Sequence, residues 1–121
     1  MTKKTALQVR GEDAAAAYLE RVGMTVVDRD WQCEAGSIDI VALDGATIVV
    51  IDVDTREGGG TATGEGVSAA AGSRITRLAE AYIQAAVLQD VTWRYDRVSL
   101  LLLGDNRALL RHHRDALGSA V

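Results

Sequence analysis

Residues 46–54, which read Ala-Thr-Ile-Val-Val-Ile-Asp-Val-Asp, constrain the fold more than any other segment. The run is almost wholly apolar until Asp52. Successive side chains of a strand face opposite ways, so an unbroken apolar strand needs cover on both faces. The segment therefore predicts a central strand with helices packed on either side. Asp44-Gly45 just before it is a strong hairpin signal, which makes residues 37–43 its antiparallel neighbour. Asp52 and Asp54 fall on one face at the far end of the run. Burial and like-charge proximity both disfavour two ionised carboxylates there. A cation, an arginine or solvent is needed to offset them.

The other elements follow from local pattern. Residues 1–10 read as a polar, frayed start. Residues 11–21 favour helix, with Ala15, Tyr18, Leu19 and Val22 on one face and Gly23 as the stop. Residues 24–31 read as a strand, 32–36 as a turn and 37–43 as a second strand. The stretch 57–66 holds five glycines and predicts a mobile connection. It is no phosphate-binding loop, because no Gly-Lys-Ser/Thr follows, though a lid over the end of the third strand fits its position. Residues 67–89 form a long helix, with Ile75, Leu78, Ala79, Tyr82, Ile83 and Ala86 as its apolar stripe. A strand at 91–103, a turn and an edge strand at 109–112 complete the order, with a short tail from Arg114. The first three strands form a meander and the long helix a crossover. The fold class is α/β (α+β), a central mixed sheet carrying helices in the order α-β-β-β-α-β, with one further strand.

Length and composition narrow the function. The 121 residues suit one domain, spanning 11–121. The formal net charge of −4 argues against tight nonspecific binding of nucleic acid, while leaving room for a local basic face. The single Cys33 allows no internal disulfide, and one Cys with two His makes a zinc cluster improbable on composition. A buried or half-buried structural thiol is expected. No apolar stretch reaches the roughly 18–20 residues of a membrane span, and no apolar segment follows Lys3 and Lys4 as in a signal peptide. The expectation is a cytoplasmic protein with no membrane partner, as a monomer or homodimer. His112 and His113 are adjacent and point oppositely on a strand, so they are expected at the surface or sheet edge. Trp31, Trp93, Tyr18 and Tyr82 are expected to pack rather than stack on bases.

Asp39 gives the acidic pattern its chemical interest. Pairing about residues 44–45 sets Asp39 opposite roughly residue 50, about one pleat from Asp52. Twist or a bulge would then bring the two carboxylates together. Such a pair suits Mg²⁺ or Mn²⁺ shared with phosphate oxygens. The ion would acidify a bound water and polarise a phosphodiester.

Several motifs together carry a resemblance. They are Gly11-Glu12, Ala16-x-Tyr18-Leu19, Gly23, Asp30-Trp31, Gly36-Ser37-Ile38-Asp39-Ile40-Val41-Ala42, Ile51-Asp52-Val53-Asp54-Thr55-Arg56 and Tyr95-Asp96-Arg97-Val98. Across about residues 8–113 the chain resembles the bacterial YraN-like family, of the restriction-endonuclease-like, or PD-(D/E)XK nuclease, superfamily. The resemblance implies a restriction-endonuclease-like domain, DNA or nucleic-acid ends as partner, and Mg²⁺ or Mn²⁺ as cofactor if active. It implies Glu12, Asp39 and Asp52 as metal ligands, with Asp39, Asp52 and Asp54 at the catalytic positions. Arg56, Arg74 and Arg77 are the candidate substrate-binding residues.

The chain departs from the family pattern where chemistry is most exacting. Asp52 replaces a glutamate, Ser37 replaces the glutamate beside the metal aspartate, and Asp54 replaces the catalytic lysine. The family's further lysine at 71–73 is missing. A lysine at position 54 would position water and stabilise developing negative charge, and an aspartate reverses that charge. The arginines cannot serve as general bases near neutral pH. The expectation is an endonuclease-like protein with impaired or lost cleavage. One alternative is an active nuclease with an all-carboxylate site, and another is a non-catalytic scaffold that binds a protein partner.

Overall fold

In a computed structural model describing residues 4–58, 69–104 and 107–117, the apolar run lies in the middle of a five-stranded sheet. The order is α1 (Ala6–Arg21), β1 (Thr25–Cys33), β2 (Gly36–Asp44), β3 (Thr47–Glu57), α2 (Ala69–Ala85), β4 (Thr92–Leu103) and β5 (Arg107–His113). Strands lie in the order β1-β2-β3-β4-β5. All neighbours are antiparallel except β3 and β4, which run parallel with α2 as the connecting helix. This is the meander, crossover and final edge strand expected of a restriction-endonuclease-like domain.

Both faces of β3 are covered. Val49 and Ile51 join Ala15 and Leu19 of α1, with Ile40, Ala42, Val98 and Leu100. Ile48 and Val50 join Ile75, Leu78, Ala79 and Tyr82 of α2, with Ile38, Val41 and Tyr95. Each fully buried aliphatic side chain contributes roughly 1.5–3 kcal/mol relative to an exposed one, so the two clusters hold the helices in place. Cys33 is half-buried against the α2 cluster, and Trp31 meets Tyr82 edge to face at 5.2 Å between ring centres.

Several boundaries move. The chain is structured from Lys4 rather than frayed to residue 10, and α1 begins at Ala6. The cause is a capping box: Gln8 N donates to Thr5 Oγ1 at 3.1 Å, and Thr5 N donates to Gln8 Oε1 at 2.8 Å. Two otherwise orphaned amides are satisfied reciprocally. Helix α2 ends at Ala85 instead of 89, with the chain reversing at Val87, whose φ is +55°. Strand β3 runs on to Glu57 because β4 pairs with it in register as far as Leu102. Of the glycine-rich connection, residues 59–66 lie outside the described residues, so its expected lid role does too. Among the described residues no helix is long and apolar enough to cross a membrane.

Gly11 sits inside α1, where glycine is about 1 kcal/mol less favourable than alanine. Its reason is the close approach of α1 to β3. A β-carbon there would overlap Thr55 Oγ1 and lie 2.7 Å from Thr55 Cβ. Gly11→Val is expected to lower unfolding stability in urea by about 1–3 kcal/mol through overpacking. Thr55→Gly in the same chain should recover part of the loss. Wild-type stability in the single variant would show that α1 does not rest on Thr55.

Candidate functional site

Asp39 stands where β2 and β3 part. The paired register runs from Asp44–Thr47 to Ile40–Ile51. Asp39 and Asp52 follow that last pair on their two strands, and both line one cleft. The two-residue turn at Gly45-Ala46, with Gly45 at φ +61°, sets this register. The expected pairing of Asp39 with roughly residue 50 is thus corrected, since Val50 pairs with Val41. Beyond Ile40 the side-chain alternation of β2 slips, because Ile38 and Val41 both join the α2 cluster. Asp39 turns into the gap, and its Oδ2 accepts a hydrogen bond from Val53 N at 2.8 Å. The carboxylate thereby takes a donor that the ladder no longer satisfies.

The other oxygen of Asp39 faces α1. Lys4 Nζ donates to Asp39 Oδ1 at 2.8 Å, contacts Asp30 Oδ1 at 2.8 Å and bonds Glu12 Oε2. Oxygens of Glu12, Asp30 and Asp39 all lie within 4.8 Å of one another. Glu12 is buried on the first helix, and burial, partly countered by Lys4, raises its pKa. The Lys4 ammonium is held protonated: burial opposes its charge, but hydrogen bonds to Asp30, Asp39 and Glu12 outweigh that. Of the three expected metal ligands, Glu12 and Asp39 come together with Asp30, and Asp52 stands outside that group. Neither Lys4 nor Asp30 stood out in the sequence as a site residue. Their only local signals were the rarity of lysine and an aspartate beside Trp31.

Asp52 faces a cleft of about 480 Å³ on the α2 side, shared with Asp39, Asp54, Arg56, Arg74, Tyr95 and Arg97. Burial raises the Asp52 pKa and the charge of Asp39 adds to it, while Tyr95, Arg74 and Arg97 pull it down. Tyr95 Oη donates to Asp52 Oδ2 at 2.8 Å. Burial, then the neighbouring Asp52 charge, raises the phenol well above its ordinary value, so it serves as a donor and not a base. Arg97 is the β4 residue beside Asp52 in the parallel register, a neighbour hidden from sequence because it depends on strand pairing. Asp54 is partly exposed and paired with Arg56, whose Nε lies 3.3 Å from Asp54 Oδ2. Arg74 lines the cleft, whereas Arg77 is exposed on α2 and is not among its lining residues.

The donor chemistry around Asp39 is all carboxylate oxygen, which suits a hard divalent cation and disfavours soft metals. Asp52, desolvated near another carboxylate, also fits a site that gains from added positive charge. The described lining of the cleft includes no lysine or histidine. Among its lining residues the carboxylates of Asp39, Asp52 and Asp54 are the proton acceptors, while Arg74 and Arg97 suit phosphate oxygens.

His112 lies on the edge strand β5, as expected, but is not a surface residue. Its side chain is 6% exposed, with Nε2 2.8 Å from Asp96 Oδ2 and Nδ1 2.9 Å from Tyr18 Oη. Asp96 is fully buried and also takes Arg94 Nε and the backbone N–H of Asp115, both at 2.9 Å. This network lies on the α1 face, away from the cleft, and its role is to tie β4 to β5 and α1.

Residues 11–100 match the model of a family described as Uncharacterised protein family UPF0102. A UPF0102 protein of Arthrobacter sp. (strain FB24) is 42% identical over 117 residues, covering 94% of this chain and 98% of that protein. One from Geobacter sulfurreducens is 36% identical over 111 residues, 91% of this chain and 87% of its own. One from Chloroflexus aurantiacus is 41% identical over 104 residues, 85% of each.

Proposed function

The chain belongs to the UPF0102 family, the YraN-like family that its motifs resemble, and we propose that its cleft binds a divalent cation together with a phosphodiester, with cleavage strongly reduced. The observation that carries this reading is that Asp39 and Asp52 line one cleft together with Arg74 and Arg97. Mg²⁺ or Mn²⁺ would be held by Asp39 and Asp52, with Glu12 and Asp30 as further carboxylates on the α1 side. When bound, such an ion supplies charge neutralisation and acidifies a coordinated water.

The chain's own residues account for the rest. Arg74 and Arg97 bind phosphate oxygens, and a guanidinium keeps that role at any ordinary pH. Tyr95 fixes the orientation of Asp52 through its hydrogen bond. Asp54 sets a negative charge on the cleft wall where the family places a lysine, and Arg56 offsets part of it. The loss of one well-placed electrostatic donor lowers rates by about 10²–10³, and reversing its charge lowers them at least as much. DNA is the substrate class that the superfamily suggests.

A nuclease assay with Mg²⁺ or Mn²⁺ on duplex, single-stranded and branched DNA tests the reading. The wild type should bind DNA more readily with the ion than without it, and cut it slowly or not at all. Asp54→Lys combined with Asp52→Glu should raise cleavage by about 10²-fold or more, the reverse of losing an electrostatic donor. Efficient cutting by the wild type would favour instead an active all-carboxylate nuclease. If ion and DNA binding are both absent, the non-catalytic scaffold is the better account.

A further inference from the structure

Lys4 occupies the space that a cation in the Glu12–Asp30–Asp39 cluster would need. An ammonium group has three N–H donors, and Lys4 meets one carboxylate from each of α1, β1 and β2. Three carboxylates and one ammonium still leave a net charge of about −2, so a divalent ion would neutralise the cluster better than lysine does. The two cannot share it. Ion–oxygen distances of about 2.0–2.1 Å for Mg²⁺ draw the carboxylates inward around one centre, and the 2.8 Å contacts of Lys4 to Asp30 and Asp39 mark that centre as taken. Lys4 directly precedes Thr5, the N-cap of α1, so its release removes a tether from the first turn of the helix.

We propose that Lys4 is a tethered competitor for the divalent ion, docked among Glu12, Asp30 and Asp39 when no ion is bound and released when one enters. This rests on the reading of the site as a metal centre. Ion occupancy and docking of Lys4 then oppose each other, and by linkage each weakens the other by the same factor. Lys4 acts as an internal plug: it keeps buried Glu12 and half-buried Asp39 neutralised in the ion-free protein and reports ion binding as a freed residue 4. Lys4→Met removes the competitor while keeping much of the apolar stem.

Isothermal titration of the whole chain with MgCl₂ and MnCl₂ tests the idea. Lys4→Met should bind at least about fivefold more tightly than the wild type, the lower end of ordinary coupling between linked sites. Lys4→Arg, which keeps the charge, should stay closer to the wild type. Hydrogen exchange of the wild type needs no variant: amides of residues 5–10 should exchange faster once the ion is added. Unchanged or weaker affinity in Lys4→Met, or unchanged exchange at 5–10 in an ion-bound wild type, overturns the competition while leaving the metal centre standing. Heat-free titrations of both proteins, with no exchange change anywhere, overturn the metal centre and the competition together.

Discussion

Asp96→Ala is expected to lower the unfolding free energy by about 3–5 kcal/mol, the loss seen when one partner of a buried ion pair is removed. Asp96 is fully buried. It accepts from Arg94 Nε at 2.9 Å, from the Asp115 amide at 2.9 Å, and sits 2.8 Å from His112 Nε2. Alanine leaves the amide and the imidazole without their acceptor and Arg94 with only Asp44, 2.8 Å from its Nη1. Asp96→Asn keeps the shape and one acceptor oxygen, so its loss should be smaller. Urea unfolding followed by circular dichroism reads both, and an alanine variant within 1 kcal/mol of wild type would count against the network as a structural tie.

The pH dependence gives the same experiment a second reading. Burial opposes the Asp96 charge, but the hydrogen bonds from Arg94, Asp115 and His112 outweigh it and lower its pKa. A carboxylate lowered on folding stabilises fully above its unfolded value of about 3.9 and loses that contribution as pH falls through its lowered folded value. Asp52 and Glu12 have the opposite sign. Burial raises both, so each favours folding more once it is protonated and loses that as pH rises through its raised value. Acidification from neutral pH should therefore first relieve Asp52 and Glu12, then expose the loss at Asp96. Asp96→Asn should flatten only the lower, acid limb.

Asp39→Asn is the second large effect: Mg²⁺ or Mn²⁺ affinity should fall by at least about 10–100-fold, the range already seen when a group that merely supports a ligand is removed. Asp39 alone belongs to both halves of the site. It lies in the oxygen cluster with Glu12 and Asp30, and it shares the cleft with Asp52. Asparagine keeps an oxygen for Val53 N, so the 2.8 Å hydrogen bond that closes the end of the β2–β3 ladder can survive. A folded variant with lost affinity would separate ligation from scaffolding. An affinity within twofold of the wild type would remove Asp39 from the ion's ligands.

Some of this was readable along the chain, because the signals are local. The alternation of 37–43, the apolar run after Asp44-Gly45 and the three- and four-residue spacing of Ile75, Leu78, Ala79 and Tyr82 fix which face each side chain takes. That is enough to place Asp39, Asp52 and Asp54 on adjacent central strands. Thr5-x-x-Gln8 is equally local, a capping signature that extends α1 beyond the reach of apolar periodicity.

Partners are another matter, since periodicity sets a face and never names the neighbour. The two-residue turn at Gly45-Ala46 chose the register that pairs Ile40 with Ile51, next to Asp39 and Asp52. The parallel pairing of β4 put Arg97 beside Asp52, and the antiparallel pairing of β5 brought His112 to the α1 face near Asp96. Lys4 and Asp39 are 35 residues apart, and only the packing of α1 against the parted strands makes them neighbours. The sequence by itself determined the order of elements and which strands carry the carboxylates. Tertiary structure alone decided which charge answers each of them, because charge pairing depends on distance through space and not on spacing along the chain.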